Sequence, residues 1–366
     1  MSKEIFLDAP SIGELEKKYI NEALDTGYVS TAGPFVGEFE GNFASYIGID
    51  KAVSTQSGTA AIHVALHELG IGADDEVIVP ALTFVATVNP VVYVGAEPVF
   101  VDVEKDTWNI DPEKIEDAIT DKTKAIIPVH LYGNPCNMDR IMEIAKKHGL
   151  YVIEDATESL GAIYNGKHTG TFGDFGCFSF NGNKTITTGG GGMLASCEGG
   201  KVDHVKFLVN QAKDMKVEYY HPEIGFNYRM TNIEAALGLA QMERIGELLD
   251  KKRMFYKSYT EELKGVGEIS FQKEITGAES SRWLTCITLT DEVDIPALRI
   301  KLKEMNIPTR RVFMPITEFP PFKDYKRSDL ENSYAIYERG LCLPGSTLNS
   351  QGDITFVCEK IKEVIR

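Results

Sequence analysis

Lys184 has the surroundings that most clearly favour covalent chemistry in this sequence. It lies between the apolar run Phe175 to Phe180 and a glycine run, Gly189 to Gly192. An amine held there is partly desolvated, and desolvation favours the neutral, nucleophilic form of an amine. Nucleophilic lysines attack aldehydes, and the usual protein-bound aldehyde is pyridoxal phosphate. This cofactor needs three further groups from the protein.

The first of these groups is an anion for the pyridine nitrogen. The run Tyr151 to Asp155 is apolar and ends in two acids, which predicts a buried strand of a parallel sheet. Ligands bind at the carboxyl ends of such strands. Strand alternation points Glu154 and Asp155 to opposite faces, so one of them meets the ring. The pattern alone leaves open which one, and a strand-end acid that caps the next turn is the alternative.

The second group is a set of donors for the phosphate. Lys51 to Ala61 indicates a short strand that runs directly into a helix. Ser57 is placed to cap this helix, and Gly58 lets the backbone approach an anion. Free N–H groups and the helix dipole would complete a phosphate cradle. Many strand-to-helix turns contain such residues, so this motif gains weight only beside Asp155 and Lys184.

The third group is a flat side chain to cover the ring. Phe84 follows the predicted strand Glu76 to Val79 and is the candidate. A core phenylalanine at a helix start fits this segment equally well. The local sequence does not decide between the two interpretations.

Alternating strand and helix patterns must position these groups. Short apolar runs are separated by segments of helical length, such as 111–120 and 138–148, which predicts a mostly parallel sheet with helices on both faces. The fold class is therefore α/β. The predicted strands are 76–79, 98–103, 125–130, 151–155, 175–180 and 192–196.

The chain length indicates two domains. At 366 residues and about 150 residues per domain, two cores are expected. A long helical pattern from Asn232 to about Leu263 is predicted to connect them. We expect a large domain over 1–250 and a smaller α/β domain over 251–366.

Composition excludes several classes of partner. The net charge of −16 and the lack of a basic patch argue against nucleic acid. The six cysteines form no CxxC pair and indicate reduced core residues, and the N-terminus lacks a signal-peptide pattern. We therefore expect a cytoplasmic protein.

Three other patterns could indicate a membrane span, a metal site or a dinucleotide site, but each is incomplete. The uncharged stretch 77–96 is long enough to span a bilayer, but prolines and polar residues divide it, so no membrane span is expected. His63 and His67 have helical spacing without further ligands, so no metal is expected. The glycine run 189–192 lacks the spacing of a dinucleotide fingerprint, so no NAD site is expected.

Taken together, the motifs resemble the sugar aminotransferase family of the DegT/StrS type, which are fold type I pyridoxal-phosphate enzymes. The resemblance implies that fold, with a mostly parallel sheet of the seven-stranded type and a smaller C-terminal domain. It covers nearly the whole chain. The matching segments are 27–34, 57–59, 130–133, 154–156, 178–185 and 225–230.

The resemblance implies a role for each matching residue. Lys184 forms the covalent link to pyridoxal phosphate, and Asp155 pairs with the pyridine nitrogen. Phe84 stacks on the ring. Asn227 reaches the phosphate from a neighbouring subunit, which implies a homodimer with composite sites. The other implied cofactor contacts are Ser57, Gly58, Thr59, Glu158, Ser179 and Asn181.

Three departures from the usual family pattern narrow the expectation. Asn181, Glu158 and Gly190 stand where many members have histidine, glutamine and glutamate. This combination is most similar to the branch that aminates UDP-4-keto-6-deoxy-N-acetylglucosamine in bacillosamine- and legionaminate-type glycan synthesis. Dehydratase members replace the lysine with histidine, so Lys184 favours amino transfer.

The implied activity is amino transfer, with glutamate as the expected donor, to C4 of a nucleotide-linked keto sugar. Lys184 would move the proton at sugar C4 as a general acid and base. Two alternatives keep the cofactor: a non-catalytic regulatory protein of the same fold, and a lyase or racemase acting on amino acids. The candidates for contact with substrate anions or sugar are Tyr28, Ser30, Arg229, Arg310 and Arg311.

Overall fold

The computed structural model describes residues 4–267 and 269–365. The helices in this part are α1 (Glu14–Asp25), α2 (Pro34–Ile47), α3 (Gly58–Glu68), α4 (Asn89–Tyr93), α5 (Pro112–Ala118), α6 (Met138–His148), α7 (Gly199–Val209), α8 (Asn232–Glu243), α9 (Ile245–Glu262), α10 (Ile295–Glu304), α11 (Glu331–Arg339) and α12 (Gln351–Ile365). The strands are β1 (Lys51–Thr55), β2 (Glu76–Pro80), β3 (Glu97–Val101), β4 (Thr123–Ile126), β5 (Tyr151–Asp155), β6 (Ile163–Tyr164), β7 (Lys167–His168), β8 (Phe175–Ser179), β9 (Gly192–Ser196), β10 (Ser270–Phe271), β11 (Ala278–Glu279), β12 (Thr285–Thr288), β13 (Arg310–Arg311) and β14 (Gly340–Leu343).

A central sheet organises the first part of the chain. In the described residues it has seven strands in the order β1-β9-β8-β5-β4-β2-β3. The pairs from β8 through β5, β4 and β2 to β3 are parallel, whereas β9 runs antiparallel to both β1 and β8. The predicted α/β fold with a mostly parallel sheet is confirmed. Because β5 lies in the middle of the sheet, its carboxyl end faces the centre of one edge.

The central strands are buried because helices pack on both faces of the sheet. Ile153 of β5 and Phe175 of β8 belong to one apolar core with α3, while Val152 packs with α6 on the other face. The predicted bounds of β5, β9 and α6 agree with the structure. The predicted strands at 98–103 and 125–130 end earlier, at Val101 and Ile126.

The uncharged stretch 77–96 does not form one long helix. It divides into β2, a 3₁₀ turn at Val85–Thr87 and the short helix α4. Within the described residues, no helix combines the length and apolar character needed to cross a membrane.

The long helix predicted over Asn232 to Leu263 is interrupted. Arg244 separates α8 from α9, and its N–H bonds to Gln241 O at 3.1 Å instead of to the carbonyl four residues back. Its guanidinium donates to Glu16 at 2.7 Å and so holds the junction against α1. The sequence does not predict this break, because the apolar helical spacing continues across it.

A second sheet, β10-β12-β14-β13, lies in the C-terminal part of the described chain. The helix α9 joins the two regions: Leu248 and Leu249 pack with the core around α2 and α8, and Phe255 and Tyr259 pack with the C-terminal core. The division into 1–250 and 251–366 stays a prediction.

The cysteines are free in the described residues. Five are buried, as expected for core residues, but Cys197 is exposed. It follows β9 at the start of a surface turn, where the apolar run of the strand has ended.

Candidate active site

A cavity of about 560 Å³ opens at the carboxyl edge of the central sheet. It lies where β5 ends, where α3 begins and where the segment after β8 turns back towards β9. The C-terminal part of the chain closes one side through Trp283, Arg310 and Phe313. The predicted site residues that line it are Ser57, Gly58, Thr59, Phe84, Asp155, Glu158, Ser179, Asn181, Lys184 and Arg310.

Lys184 projects into this cavity from the turn after β8. Its backbone N–H donates to Asn181 O at 3.0 Å, which closes the turn. Its Nζ lies 3.6 Å from Glu158 Oε1 and 4.0 Å from the centroid of the Trp283 ring. The side chain is 14% exposed, so the amine is within reach of a ligand while bulk water is largely excluded.

The two acids at the end of β5 lie on opposite faces. Asp155 lines the cavity, where Thr87 Oγ1 donates to its Oδ2 at 2.7 Å and the Thr157 N–H donates to its Oδ1 at 3.1 Å. Glu154 points away and is completely buried. Of the two acids, only Asp155 is placed to meet a ligand in this cavity, which agrees with the choice made from the family resemblance.

The N-terminus of α3 forms another part of the cavity wall. Ser57 caps the helix by accepting a bond from the Ala60 N–H at 3.1 Å, as the sequence predicts. Gly58 packs so tightly that an added Cβ would lie 2.8 Å from Thr157 Cγ2. The leading N–H groups of a helix lack intrahelical acceptors and attract anions. Thr59 and Ser179 add hydroxyl groups to this wall.

Phe84 belongs to a row of aromatic rings that borders the cavity. Its ring is 5.6 Å from Phe313, which stacks on Tyr132 at 5.2 Å, and Tyr132 stacks on Trp283 at 6.1 Å. The side chain of Phe84 is 54% exposed, so it is not the core phenylalanine of the alternative interpretation. The row connects the predicted ring cover to the tryptophan beside Lys184.

Glu158 is a buried carboxylate beside the lysine. Its Oε2 accepts the Tyr132 N–H at 2.8 Å. Burial raises the pKa of Glu158, and the nearby Lys184 amine partly offsets this effect. The other two departures from the family pattern, Asn181 and Gly190, also line the cavity.

The two adjacent arginines of β13 meet different surroundings, as the two adjacent acids of β5 do. Arg310 lines the cavity, and its Nη1 donates to Asp8 Oδ2 at 3.0 Å. Among the described residues, its Nε and Nη2 are buried without a hydrogen-bond partner. Arg311 lies outside the cavity and donates to the carbonyls of Tyr337 and Glu338.

The remaining predicted residues lie outside the cavity of a single chain. Asn227 and Tyr28 are exposed, and Arg229 donates to Asn210 Oδ1 at 3.4 Å. The backbone carbonyls of Tyr28 and Ser30 accept bonds from Asn232 at the start of α8. Asn227 is expected to act on a neighbouring subunit, so its position here leaves that role, and the homodimer, as predictions.

Trp283 and Thr87 are site residues that the sequence patterns did not identify. Trp283 lies in the predicted smaller domain, 251–366, and Thr87 is one of the polar residues that divide the uncharged stretch 77–96. In the structure, Trp283 lines the cavity and Thr87 donates to the carboxylate of Asp155. No local spacing links either residue to Lys184, because 100 residues separate Trp283 from Asn183, whose carbonyl accepts its indole N–H.

Comparison with known proteins decides the family. Residues 10–362 match the model of the DegT/DnrJ/EryC1/StrS aminotransferase family. The chain belongs to this family. The match covers the central sheet and the C-terminal sheet, so family membership applies to the site at the edge of the central sheet and to the C-terminal part that closes it.

Relatives of the family are similar over nearly their full lengths. The GDP-perosamine synthase of Escherichia coli O157:H7 is 40% identical over 355 residues, which are 97% of this chain and 96% of the relative. EpsN of Bacillus subtilis, named as a candidate pyridoxal phosphate-dependent aminotransferase, is 41% identical over 357 residues, 95% of this chain and 92% of EpsN.

A solved structure shows the same fold. The PLP-form of Spr1654 from Streptococcus pneumoniae, named as a candidate sugar aminotransferase, has a TM-score of 0.94 at 28% identity and covers 99% of each chain. A PMP-form of the same protein gives the same score. This chain is therefore a sugar aminotransferase of the DegT family, and its cofactor is pyridoxal phosphate.

The residues of the cavity fit that cofactor. It needs an amine for its aldehyde, a carboxylate for its ring nitrogen and donors for its phosphate. Lys184, Asp155 and the N-terminus of α3 place an amine, a carboxylate and free N–H donors at one cavity. The chemistry of the donor set therefore agrees with the family assignment.

Proposed function

We propose that this enzyme transfers an amino group from glutamate to C4 of a nucleotide-linked 4-keto-6-deoxy sugar. The observation that carries the proposal is that Lys184, Asp155 and the start of α3 line one cavity. Bound pyridoxal phosphate supplies the carrier of the amino group and the ring that accepts electrons. The protein supplies the orientation, the charges and the proton transfers.

In this proposal, Asp155 keeps a proton on the ring nitrogen. Thr87 and the Thr157 N–H hold the carboxylate of Asp155 in place through bonds of 2.7 and 3.1 Å. Ser57, Thr59 and Ser179 would hold the phosphate together with the free N–H groups at the start of α3. Phe84 would cover the ring.

Lys184 acts first as the covalent anchor and then as the general acid and base. Once its amine is free, it would accept a proton from the cofactor side as a general base and deliver a proton to C4 of the sugar as a general acid. Glu158 Oε1 lies 3.6 Å from Nζ and is placed to hold this amine in the cavity. The partial burial of Lys184 keeps competing water away from this amine.

Arg310 is the residue we assign to the anion of the incoming substrate. Both half-reactions bring an anion, first the donor carboxylate and then the diphosphate of the sugar. Nε and Nη2 of Arg310 lie buried at the cavity with no acceptor in the part of the chain that the structure describes, and burying such donors without an acceptor is costly. A carboxylate or phosphate oxygen would satisfy them.

UDP and GDP are the two candidates for the nucleotide that carries the sugar. Glu158, Asn181 and Gly190 all line the cavity, which supports UDP-4-keto-6-deoxy-N-acetylglucosamine as the acceptor. The similarity to GDP-perosamine synthases favours a GDP-linked sugar instead. We propose the UDP sugar, because these departures from the family pattern lie at the site itself.

A substrate panel tests this proposal. The holoenzyme is incubated with glutamate and with UDP- or GDP-linked 4-keto-6-deoxy sugars, and products are identified by mass spectrometry. An amino sugar formed faster from the UDP substrate is expected. Preference for the GDP substrate would reassign the acceptor, and turnover of amino acids alone without any amino sugar would refute sugar amino transfer.

A further inference from the structure

Trp283 contacts the segment of Lys184 in two ways. Its indole Nε1 donates to Asn183 O at 2.7 Å, which fixes the peptide bond directly before Lys184. The face of the same ring lies 4.0 Å from Lys184 Nζ. One side chain thus holds both the backbone and the reactive atom of the lysine.

Trp283 is itself fixed from the side away from the cavity. It is 2% exposed and stacks on Tyr132 with ring planes 19° apart. Its carbonyl accepts a bond of 2.9 Å from Lys252, which also donates to Gly345 O at 3.1 Å. A side chain held by its neighbours in this way loses little further freedom when it orients a second group.

Tyr132, which stacks on Trp283, has a strained backbone and also contacts Phe313. Its backbone lies at φ 55°, a left-handed conformation that a tyrosine rarely adopts. Its hydroxyl accepts the Phe313 N–H at 2.9 Å. The large ring is thereby held between Trp283 and Phe313, which contribute to the cavity wall from the C-terminal part of the chain.

We infer that Trp283 is a positioning residue that holds the free amine of Lys184 over the cavity. An ammonium group above a desolvated indole is stabilised by the charge distribution of the ring. Together with Glu158 at 3.6 Å, the ring defines one location for the amine whenever it is not bonded to the cofactor. This location is the starting point both for attachment of the cofactor and for proton transfer during amino transfer.

The inference rests on the proposed role of Lys184 as the cofactor lysine. It predicts that Trp283 affects formation of the covalent bond but not the capture of the cofactor by its phosphate and ring nitrogen. Pyridoxamine phosphate separates the two effects, because it lacks the aldehyde and cannot bond to Lys184. Its affinity reports on the cavity without the lysine reaction.

The experiment uses cofactor-free full-length protein and the variants Trp283→Leu and Trp283→Phe. The rate of covalent attachment of pyridoxal phosphate is followed by absorbance, and pyridoxamine phosphate binding by calorimetry. We expect attachment to slow on the order of tenfold in Trp283→Leu, because an amine without a fixed location reaches the aldehyde in the reactive geometry less often. Trp283→Phe keeps a ring and loses the indole N–H, so an intermediate rate is expected. The affinity for pyridoxamine phosphate should stay within about twofold of wild type, well below the effect of one desolvated cation–π contact.

Trp108→Phe is the matched control. Trp108 is the other tryptophan of the chain, is also buried and packs on Tyr132, but it does not line the cavity. Its replacement should leave the attachment rate unchanged.

The possible outcomes distinguish the positioning role of Trp283 from the cofactor role of Lys184. A wild-type attachment rate in Trp283→Leu, or an equal loss of pyridoxamine phosphate affinity, would overturn the positioning role. If Trp283→Leu does not fold, an unchanged rate in Trp283→Phe overturns it. Failure of the wild-type protein to bond pyridoxal phosphate at all would instead refute the role of Lys184.

Discussion

Glu154 and Asp155 are neighbours in β5, but their carboxylates meet entirely different partners. Asp155 faces the cavity and accepts bonds from Thr87 and from the Thr157 N–H. Glu154 faces the opposite side and accepts the N–H groups of Gly170, Phe172 and Gly173 and a bond from His130. The pleat of the strand thus gives one acid to the site and the other to the structure.

Because the two carboxylates have different partners, replacing each by its amide should have a different effect. Asp155→Asn should lower kcat by on the order of 10²-fold, because the negative charge that keeps the ring nitrogen protonated is lost. Its unfolding free energy should fall less than that of Glu154→Gln, because Asp155 accepts two hydrogen bonds whereas Glu154 accepts four. Both quantities are measured by steady-state kinetics and denaturant titration.

Glu154→Gln is the matched control for Asp155→Asn. It should lower the unfolding free energy by about 1–3 kcal/mol, because an amide cannot accept all the bonds that the buried carboxylate accepts. The kcat of the folded fraction should remain near wild type. Equal effects of the two substitutions on kcat would contradict the assignment of Asp155.

Lys184→Ala should abolish both the absorbance band of the covalently bound cofactor and turnover. Lys252 provides the control, because it is a buried lysine that donates to Trp283 O but does not line the cavity. Burial lowers the pKa of Lys252 to about 8, but its amine donates to Trp283 O and Gly345 O instead of facing the cavity. Lys252→Met should keep the absorbance band, and full activity in Lys184→Ala would refute the assignment.

Arg310→Met should raise the KM for the amino donor or the nucleotide sugar by about tenfold or more, since a charge-assisted hydrogen bond is worth about 1.5–3 kcal/mol. Steady-state kinetics with each substrate varied identifies which anion Arg310 binds. Arg311→Met should leave both KM values close to wild type, because Arg311 bonds to Tyr337 O and Glu338 O outside the cavity. The reverse pattern would move the anion site to Arg311.

The stability of the enzyme should depend on Asp102 at acid pH. Asp102 is completely buried after β3 and accepts the Asn332 and Ser333 N–H groups at 2.9 and 2.8 Å, joining α11 to the central sheet. Burial acts to raise its pKa, but the hydrogen bonds from Ser333 and Asn332 outweigh burial and lower it. A carboxyl with a lowered folded-state pKa stabilises the protein above its unfolded value of about 3.9, and this contribution is lost as the pH falls through the folded value.

Asp102→Asn should therefore unfold more easily at pH 7, by about 1–3 kcal/mol, and should lose less stability than wild type on acidification below pH ~4. Denaturant unfolding at the two pH values measures both effects. Asp203→Asn is the control, since the ion pair of Asp203 with Lys51 is largely exposed and contributes little. Parallel acid curves for wild type and Asp102→Asn would contradict the prediction.

Much of the site follows from local sequence, since each chemical group occurs in its own short motif. The apolar strand before Glu154 and Asp155, the cap at Ser57 and the glycine-flanked Lys184 are local patterns governed by strand periodicity, helix capping and desolvation. They were sufficient to predict the α/β fold, the cofactor and the lysine. The break at Arg244 was not predictable, because a tertiary contact with Glu16 overrides a continuous helical pattern.

The sequence by itself determined which residue types the chemistry uses and the order of the elements that hold them. Only the tertiary structure decided that Trp283 meets Lys184 and that Arg310, not Arg311, faces the cavity. The physical reason is that local rules act over a few residues, whereas these contacts join residues about 100 or more positions apart once both sheets have packed. Orientation at the site is therefore a property of the packing between the central sheet and the C-terminal part of the chain.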